Sequence, residues 1–278
     1  MNAELIITDI TRMAHNFICI AGITRDGKTI RPLYENKRIN ESWCCPDSQA
    51  IKPFTRISID LDRQRQPMLA PHTEDWFIGQ GNAQIINDCT EDEKKDLLVK
   101  SCSKDVINIF NAPILHVEGE GVFIQAGGGC RSIGTIKAKR VFDFRHRQYD
   151  GRWDYRLKCM DGANQEYRLK IVDLTFQTFV NYLRMVRNLS GSEIEGRVNG
   201  KIFHQREIFL RIGLSRGWDL HPDRCYLQIT GIYPFPDYLD GKCFCDLQRE
   251  IENTHRYGEI KENQIFYQSG YPDIDLPF

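Results

Sequence analysis

No apolar run in this chain of 278 residues approaches the roughly 20 needed to cross a bilayer. None of its ten cysteines lies in a C-x-x-C pair, and no glycine-rich loop with a following helix pattern marks a P-loop. The absences argue against a helical membrane protein, a P-loop enzyme and the common zinc sites, for which Cys44-Cys45 and Cys243-Phe244-Cys245 have the wrong spacing. The cysteines therefore read as reduced, mostly buried thiols, with Cys19, Cys159 and Cys225 on apolar strand faces. Glu4 and Asp9 interrupt the first ten residues, which look like a strand and not a cleavable signal. A cytoplasmic protein is expected, with no metal and no cofactor.

A net charge is also nearly lacking, at −1 for 37 basic and 38 acidic residues. Yet the charge is segregated. Residues 1–136 hold 15 basic against 18 acidic side chains, 137–216 hold 17 against 9, and 217–278 hold 5 against 11. A basic middle between acidic flanks predicts a localised electropositive surface, and the acidic end could cover it.

Periodicity places that charge. Between Ile136 and Gln148 the even positions are mostly apolar, and the odd ones include Lys137, Lys139, Arg145 and Arg147. After a turn at Tyr149-Asp150-Gly151, Trp153, Tyr155, Leu157 and Cys159 alternate with Arg152, Asp154, Arg156 and Lys158. A second turn at 160–164 leads to Tyr167, Leu169 and Ile171 opposite Arg168 and Lys170. Three adjacent strands would then share one basic face, partly balanced by Asp143, Asp154 and Glu166. That face holds no outward aromatic, since Trp153, Tyr155 and Tyr167 share the core parity.

An amphipathic helix follows, with Phe176, Phe179, Val180, Leu183 and Val186 at helical spacing, Asp173 or Thr175 to cap it and Ser190-Gly191 to stop it. Phe209–Leu214 and Cys225–Thr230 read as two further strands. Three strands, a helix and two strands is the order of an OB-fold, whose outer face holds single-stranded nucleic acid or other phosphate-rich ligands. The N-terminal half has strands around Leu5–Ile7, Phe17–Ile23, Thr29–Leu33 and Arg56–Asp62, a helical stretch over 91–111 and a strand at Gly121–Gln125. That order fits a first, more irregular barrel. The chain is predicted to be mainly β with a few helices: two tandem OB-like five-stranded barrels over residues 1–130, with long insertions, and 131–240, then an acidic extension over 241–278.

Several candidate sites lie outside the basic face. Arg211 should project from its strand, opposite in parity to Leu210 and Ile212. With Arg216 it could clamp a phosphate, or the pair could join the barrels through buried ion pairs. Arg31, before Pro32, invites the same two readings, the structural one slightly favoured. His72, Glu74 and Asp75 lie within four residues of each other beside Trp76, a weak constellation for catalysis or metal binding, and equally an ordered loop. His204–Glu207 is weaker still. Gly127-Gly128-Gly129 could form an anion nest or a plain hairpin between the barrels. The aromatic loop 233–238 could stack a base but more commonly packs against a neighbouring barrel.

The segments Thr8–Arg12, Ala21–Ile23 with Ile30–Pro32, Pro71–Trp76, Arg131–Gly134, Leu210–Arg216 and Thr230–Tyr233 together resemble the dual-OB (DuOB) family of bacterial proteins. The resemblance spans nearly the whole chain. It implies two OB-like barrels in tandem and a ligand- or nucleic-acid-binding role in defence or mobile-element contexts, and it brings no catalytic residues. The expected function is non-enzymatic binding of single-stranded nucleic acid or a nucleotide-like phosphate ligand. The alternatives are a module that docks on a partner protein, and a hydrolase or nucleotide-modifying enzyme using His72, Glu74 and Asp75.

Overall fold

The computed structural model describes residues 2–254 except 14, 16, 46–48, 67–68, 80–82, 119–120, 150, 205, 218–219 and 240. Trp218 and most of the expected acidic extension, from 255 onward, lie outside the described residues.

The first barrel is built from β1 (Asn2–Arg12), β2 (Phe17–Thr24), β3 (Thr29–Leu33), the short β4 (Ile39–Asn40), β5 (Thr55–Gln64), β6 (Asp75–Ile78) and β7 (Gln84–Asp88). β1, β2 and β3 form an antiparallel meander. β3 then pairs in parallel with β6, β6 runs antiparallel to β5, and β5 returns antiparallel to β1. These five pairings close a ring, which removes the sheet edges. The alternation in β5 explains its place, because Ile57, Ile59 and Leu61 point inward and are almost wholly buried. A single 3-10 turn at Glu41–Cys44 takes the position of the helix between the third and fourth ring strands.

The helical stretch expected over 91–111 breaks into α1 (Glu91–Lys100) and α2 (Val106–Phe110), with β8 (Cys102–Ser103) between them. Both helices are locally specified: Thr90 and Glu93 form a capping box on α1, and Asp105 caps α2. The strand expected to complete the first barrel, β10 (Gly121–Gln125), instead pairs with β9 (Leu115–Val117) and with the last strand of the second barrel. The first ring already closes through β5 and β1, so it has no open edge for a further strand.

The second barrel contains β11 (Ile133–Lys137), β12 (Arg140–Tyr149), β13 (Arg152–Met160), β14 (Glu166–Ile171), β15 (Glu207–Leu214) and β16 (Arg224–Phe235). β12, β13 and β14 are the predicted three-strand meander. β14 pairs in parallel with β16, β16 with β15, and β15 with β11. β11 and β12 are halves of one strand interrupted at Ala138-Lys139, so the ring order matches the first barrel. Between β14 and β15 come α3 (Leu174–Met185), α4 (Gly191–Arg197) and a π-helical turn at Val198–Phe203. Asp173 caps α3 as expected, its Oδ1 accepting from the Phe176 amide at 3.1 Å. Ser190 does not stop that helix. It is the N-cap of α4, in a capping box with Glu193. Residues 174–180 are buried on every side, because Leu174 packs into the first barrel's core while Phe176, Phe179 and Val180 fill the second.

A β-bulge between Val141 and Asp143 changes the predicted parity of β12. One extra residue exchanges the two faces. Val141 therefore packs toward the core, while Phe142 lies between the Arg140 guanidinium and the Lys158 ammonium, 4.7 and 4.9 Å from its ring centre. The basic face does hold an aromatic after all.

The expectation of reduced cysteines is corrected at one place. Cys45 and Cys245 are joined in a disulfide across 200 residues of sequence. It ties the 3-10 turn of the first barrel to a last helix that begins at 244. Sequence spacing could not find this pair, because only the fold brings the two cysteines together. Cys159 and Cys225 are buried thiols as predicted, and Cys19 is half-buried.

Candidate functional site: a basic cleft between the barrels

The barrels meet along a seam built around one buried ion pair. Asp9 on β1 and Arg211 on β15 are each about 1% exposed. The Arg211 Nε donates to Asp9 Oδ2 at 2.9 Å, and its Nη2 lies 2.8 Å from the same oxygen. Thr230 and Thr8 donate their hydroxyls to the two Asp9 oxygens at 2.6 and 2.7 Å, and Arg211 Nη1 donates to Thr135 at 3.0 Å. Gly213 makes room for this arrangement, since a Cβ there would stand 2.6 Å from the Thr230 methyl. Arg211 therefore does not project to solvent. Its position opposite Leu210 and Ile212 faces the other barrel, so it takes the joining role. Tyr233 adds a hydroxyl donated to the Thr8 carbonyl at 2.5 Å, and its ring meets Phe54 edge-on, so the aromatic loop packs against the neighbouring barrel.

A second cluster surrounds Asp75, which is 2% exposed at the start of β6. Its Oδ1 accepts from Arg31 Nε at 2.6 Å, and its Oδ2 is paired with Arg216 and lies 3.5 Å from Arg65 Nη1. Burial alone would raise the Asp75 pKa, but the guanidiniums of Arg31 and Arg216 outweigh it and hold the carboxyl below its ordinary range. Glu74 turns the other way and accepts from both the amide and the hydroxyl of Ser132, at 2.7 and 2.9 Å, which fixes the entry to β11.

His72 belongs to the same cluster, with Nδ1 3.0 Å from Arg31 Nη2. Arginine can only donate, so Nδ1 accepts and the proton sits on Nε2. Burial, then the charges of Arg31 and Arg216, lower the His72 pKa to about 3. The imidazole is neutral near pH 7, with its one free lone pair already engaged. It is poorly placed to act as a general acid or base. Among the described residues no group of three or more His, Cys, Asp and Glu could hold a metal ion.

Beside these two clusters opens a cleft of about 1050 Å³. Its floor is the β2–β3 face of the first barrel. Its opposite wall is the start of β13, the end of β14 and the segment Gly213–Arg216 from the second. In OB-folds these are the ligand-bearing surfaces, the face of strands 2 and 3 and the loops L12 and L45. Arg12, Arg31, Lys37, Arg38 and Arg65 line it from the first barrel, and Arg152, Lys170 and Arg216 from the second. The acidic lining is Asp9 and Glu35, and Asp9 is neutralised by Arg211. Lys37, Arg38, Arg152 and Lys170 are exposed and have no ion-pair partner among the described residues. Tyr34, Phe77 and Trp153 supply aromatic surface in the same walls. Trp153 was expected in the core. It is half-buried at the start of β13, with the Arg184 guanidinium 3.6 Å from its ring centre.

The expected basic face is more balanced. β12, β13 and β14 do share it, with Arg145, Arg156 and Lys170 directly opposite one another and Lys158 opposite Arg168. But Arg145 pairs with Asp143 and Glu195, Arg156 with Asp154, Lys158 with Glu166, and Lys137 with Glu207. Lys139 donates to Asn164. Arg147, Arg168 and Lys170 have no ion-pair partner among the described residues, and of these only Lys170 reaches the cleft. The triple glycine is no open nest, because the Gly127 and Gly128 amides donate to the carbonyls of Ala70 and Gln125 at 3.1 and 3.0 Å.

Sequence reasoning missed Arg12, Lys37, Arg38 and Arg65 as lining residues. Only Lys37-Arg38 left a signal, a basic pair in a polar connection. It also missed that Asp9, Arg31, His72 to Asp75, Ser132, Arg211, Arg216, Thr230 and Tyr233, far apart in sequence, come together along the seam. The fold is that of a mainly β protein with OB-like barrels. A scan against protein-family models matches none, and a search of curated proteins returns no relative.

Proposed function

We propose that this is a tandem OB-like binding protein whose interbarrel cleft takes single-stranded nucleic acid or a nucleotide-like phosphate ligand. The observation that carries the reading is the charge of the cleft lining: cations from both barrels surround it, and one of its two carboxylates is already bound to Arg211. An anion entering there meets Lys37, Arg38, Arg152 and Lys170, which lack competing carboxylates among the described residues, and the two arginines carry the planar donor fork suited to phosphate. The aromatic surfaces of Tyr34, Phe77 and Trp153 supply the stacking partners that single-stranded ligands use. A double helix, being rigid, fits a cleft between two barrels less well than a strand with unstacked bases.

Anisotropy titration of short single- and double-stranded oligonucleotides at several salt concentrations tests the reading. Contacts to about five phosphates give a slope of log K against log salt near −3.5. The pair Arg152→Glu with Lys170→Glu should weaken single-strand binding by about 10- to 100-fold and flatten the slope by about 1.4. Equal affinity of wild type and variant would remove the cleft as the site.

A further inference from the structure

At the other end of β12 lies a second concavity of about 420 Å³, between the β11–β12 break and the π-helical turn. Antiparallel pairing sets Arg140 against Met160 at this end and Tyr149 against Arg152 at the cleft end. The two places are thus a ten-residue strand apart, about 30 Å. Its lining holds Lys139, Arg140, His204 and Arg206 and no carboxylate. Among the described residues none of these three lysine and arginine side chains has an ion-pair partner: Lys139 donates to Asn164, and Arg206 to the Pro236 carbonyl.

Two irregularities shape the concavity. The bulge turns Phe142 out of the core sequence of β12 and into its wall. Asn199 on the π-helical turn holds the bulged strand in place, accepting from the Phe144 amide at 2.7 Å and donating to the Phe144 carbonyl at 3.2 Å. Bulges and π-turns each interrupt regular pairing at a cost, and both recur beside binding sites because they re-aim side chains. Here they bring one aromatic ring among several unpaired cations. Such a combination suits a ligand with an anionic end and a flat aromatic end, and the volume suits one small molecule.

We infer a second ligand site at this concavity, in which Lys139, Arg140 and Arg206 hold the phosphate of a nucleoside phosphate and Phe142 stacks its base. A base reaching the ring displaces Arg140, which stands 4.7 Å from its centre without an ion-pair partner among the described residues, and leaves that cation free for the phosphate. The site is separate from the interbarrel cleft and stands whether or not the cleft binds nucleic acid.

Titration of the full chain with adenosine monophosphate, inorganic phosphate and adenosine, followed by the NMR resonances of the His204 imidazole and the Phe142 ring, tests the assignment. The monophosphate should move both sets of resonances and bind about tenfold more tightly than inorganic phosphate, with adenosine weaker than either. Phe142→Ala should remove that tenfold preference while retaining phosphate binding. Arg140→Glu with Arg206→Glu should weaken both anions by at least about tenfold, whereas Arg152→Glu with Lys170→Glu in the cleft should leave the His204 response unchanged. Lys139→Glu, on an exposed side chain, repeats the charge test should the double variant melt early. Resonances unmoved by the monophosphate in wild type, or equal affinity in the charge-reversed variants, would overturn the site.

Discussion

The seam between the barrels and the outer face of β12–β14 are both rich in arginine and lysine, but they arrange their charge in opposite ways. On the outer face β12 and β13 each set a carboxylate beside their own cation, Asp143 beside Arg145 and Asp154 beside Arg156, and Glu166 of β14 pairs with Lys158 of β13. Those pairs, with that of Lys137 and Glu207, are solvent-exposed and weak, and they neutralise Lys137, Arg145, Arg156 and Lys158 in place. Along the seam the carboxylates are few and buried, and around Asp75 three guanidiniums gather on one carboxylate. The surplus of positive charge then falls on the cleft beside it. Counting basic residues on a strand thus says less than asking which carboxylates are buried among them.

The comparison is broken most severely at Asp9 and Arg211. Removing one partner leaves an uncompensated charge out of water, so Asp9→Ala or Arg211→Ala should each cost about 3–5 kcal/mol in urea unfolding. A loss below about 1 kcal/mol would mean that the seam is not held there. The Asp75 cluster gives a smaller effect with a definite sign. Its His72 is neutral in the fold down to about pH 3 but takes up a proton near pH 6.5 when unfolded. The unfolded chain binds more protons in that window, so the stability due to His72 is fully present above pH 6.5 and lost as the pH falls toward 3. Between pH 7 and pH 4 the loss should be on the order of 3 kcal/mol. His72→Gln keeps an acceptor for Arg31 without the titration, and equal pH slopes for the two proteins would refute this account. Asp75 adds a loss of the same sign at lower pH, its carboxyl being held below the ordinary range.

The outer face should respond least. Arg156→Ala should change stability by no more than about 0.5 kcal/mol and single-strand affinity by less than about threefold. An effect there as large as that of the cleft pair would erase the distinction between the two surfaces.

Much of this was legible from residues alone. The alternation of Tyr155, Leu157 and Cys159 with Arg156 and Lys158 specified β13 and its faces, and the stripe from Phe176 to Leu183 with its Asp173 cap specified α3. Such signals are local, since backbone period and capping depend on near neighbours. The bulge at Val141 was not legible, because one inserted residue leaves composition intact while exchanging faces. Nor was the role of β10, since the ring closes by a pairing between β1 and β5 that no local pattern records.

The sequence by itself determined the mainly β character, the order of strands and helix that makes the second barrel, and the concentration of positive charge in residues 137–216. Tertiary structure alone decided where the usable charge lies. It set Asp9 against Arg211 across 202 residues and Cys45 against Cys245 across 200. The physical reason is that an ion pair's strength and a cation's availability depend on burial and on distance through space. Both are fixed only when the two barrels close on each other.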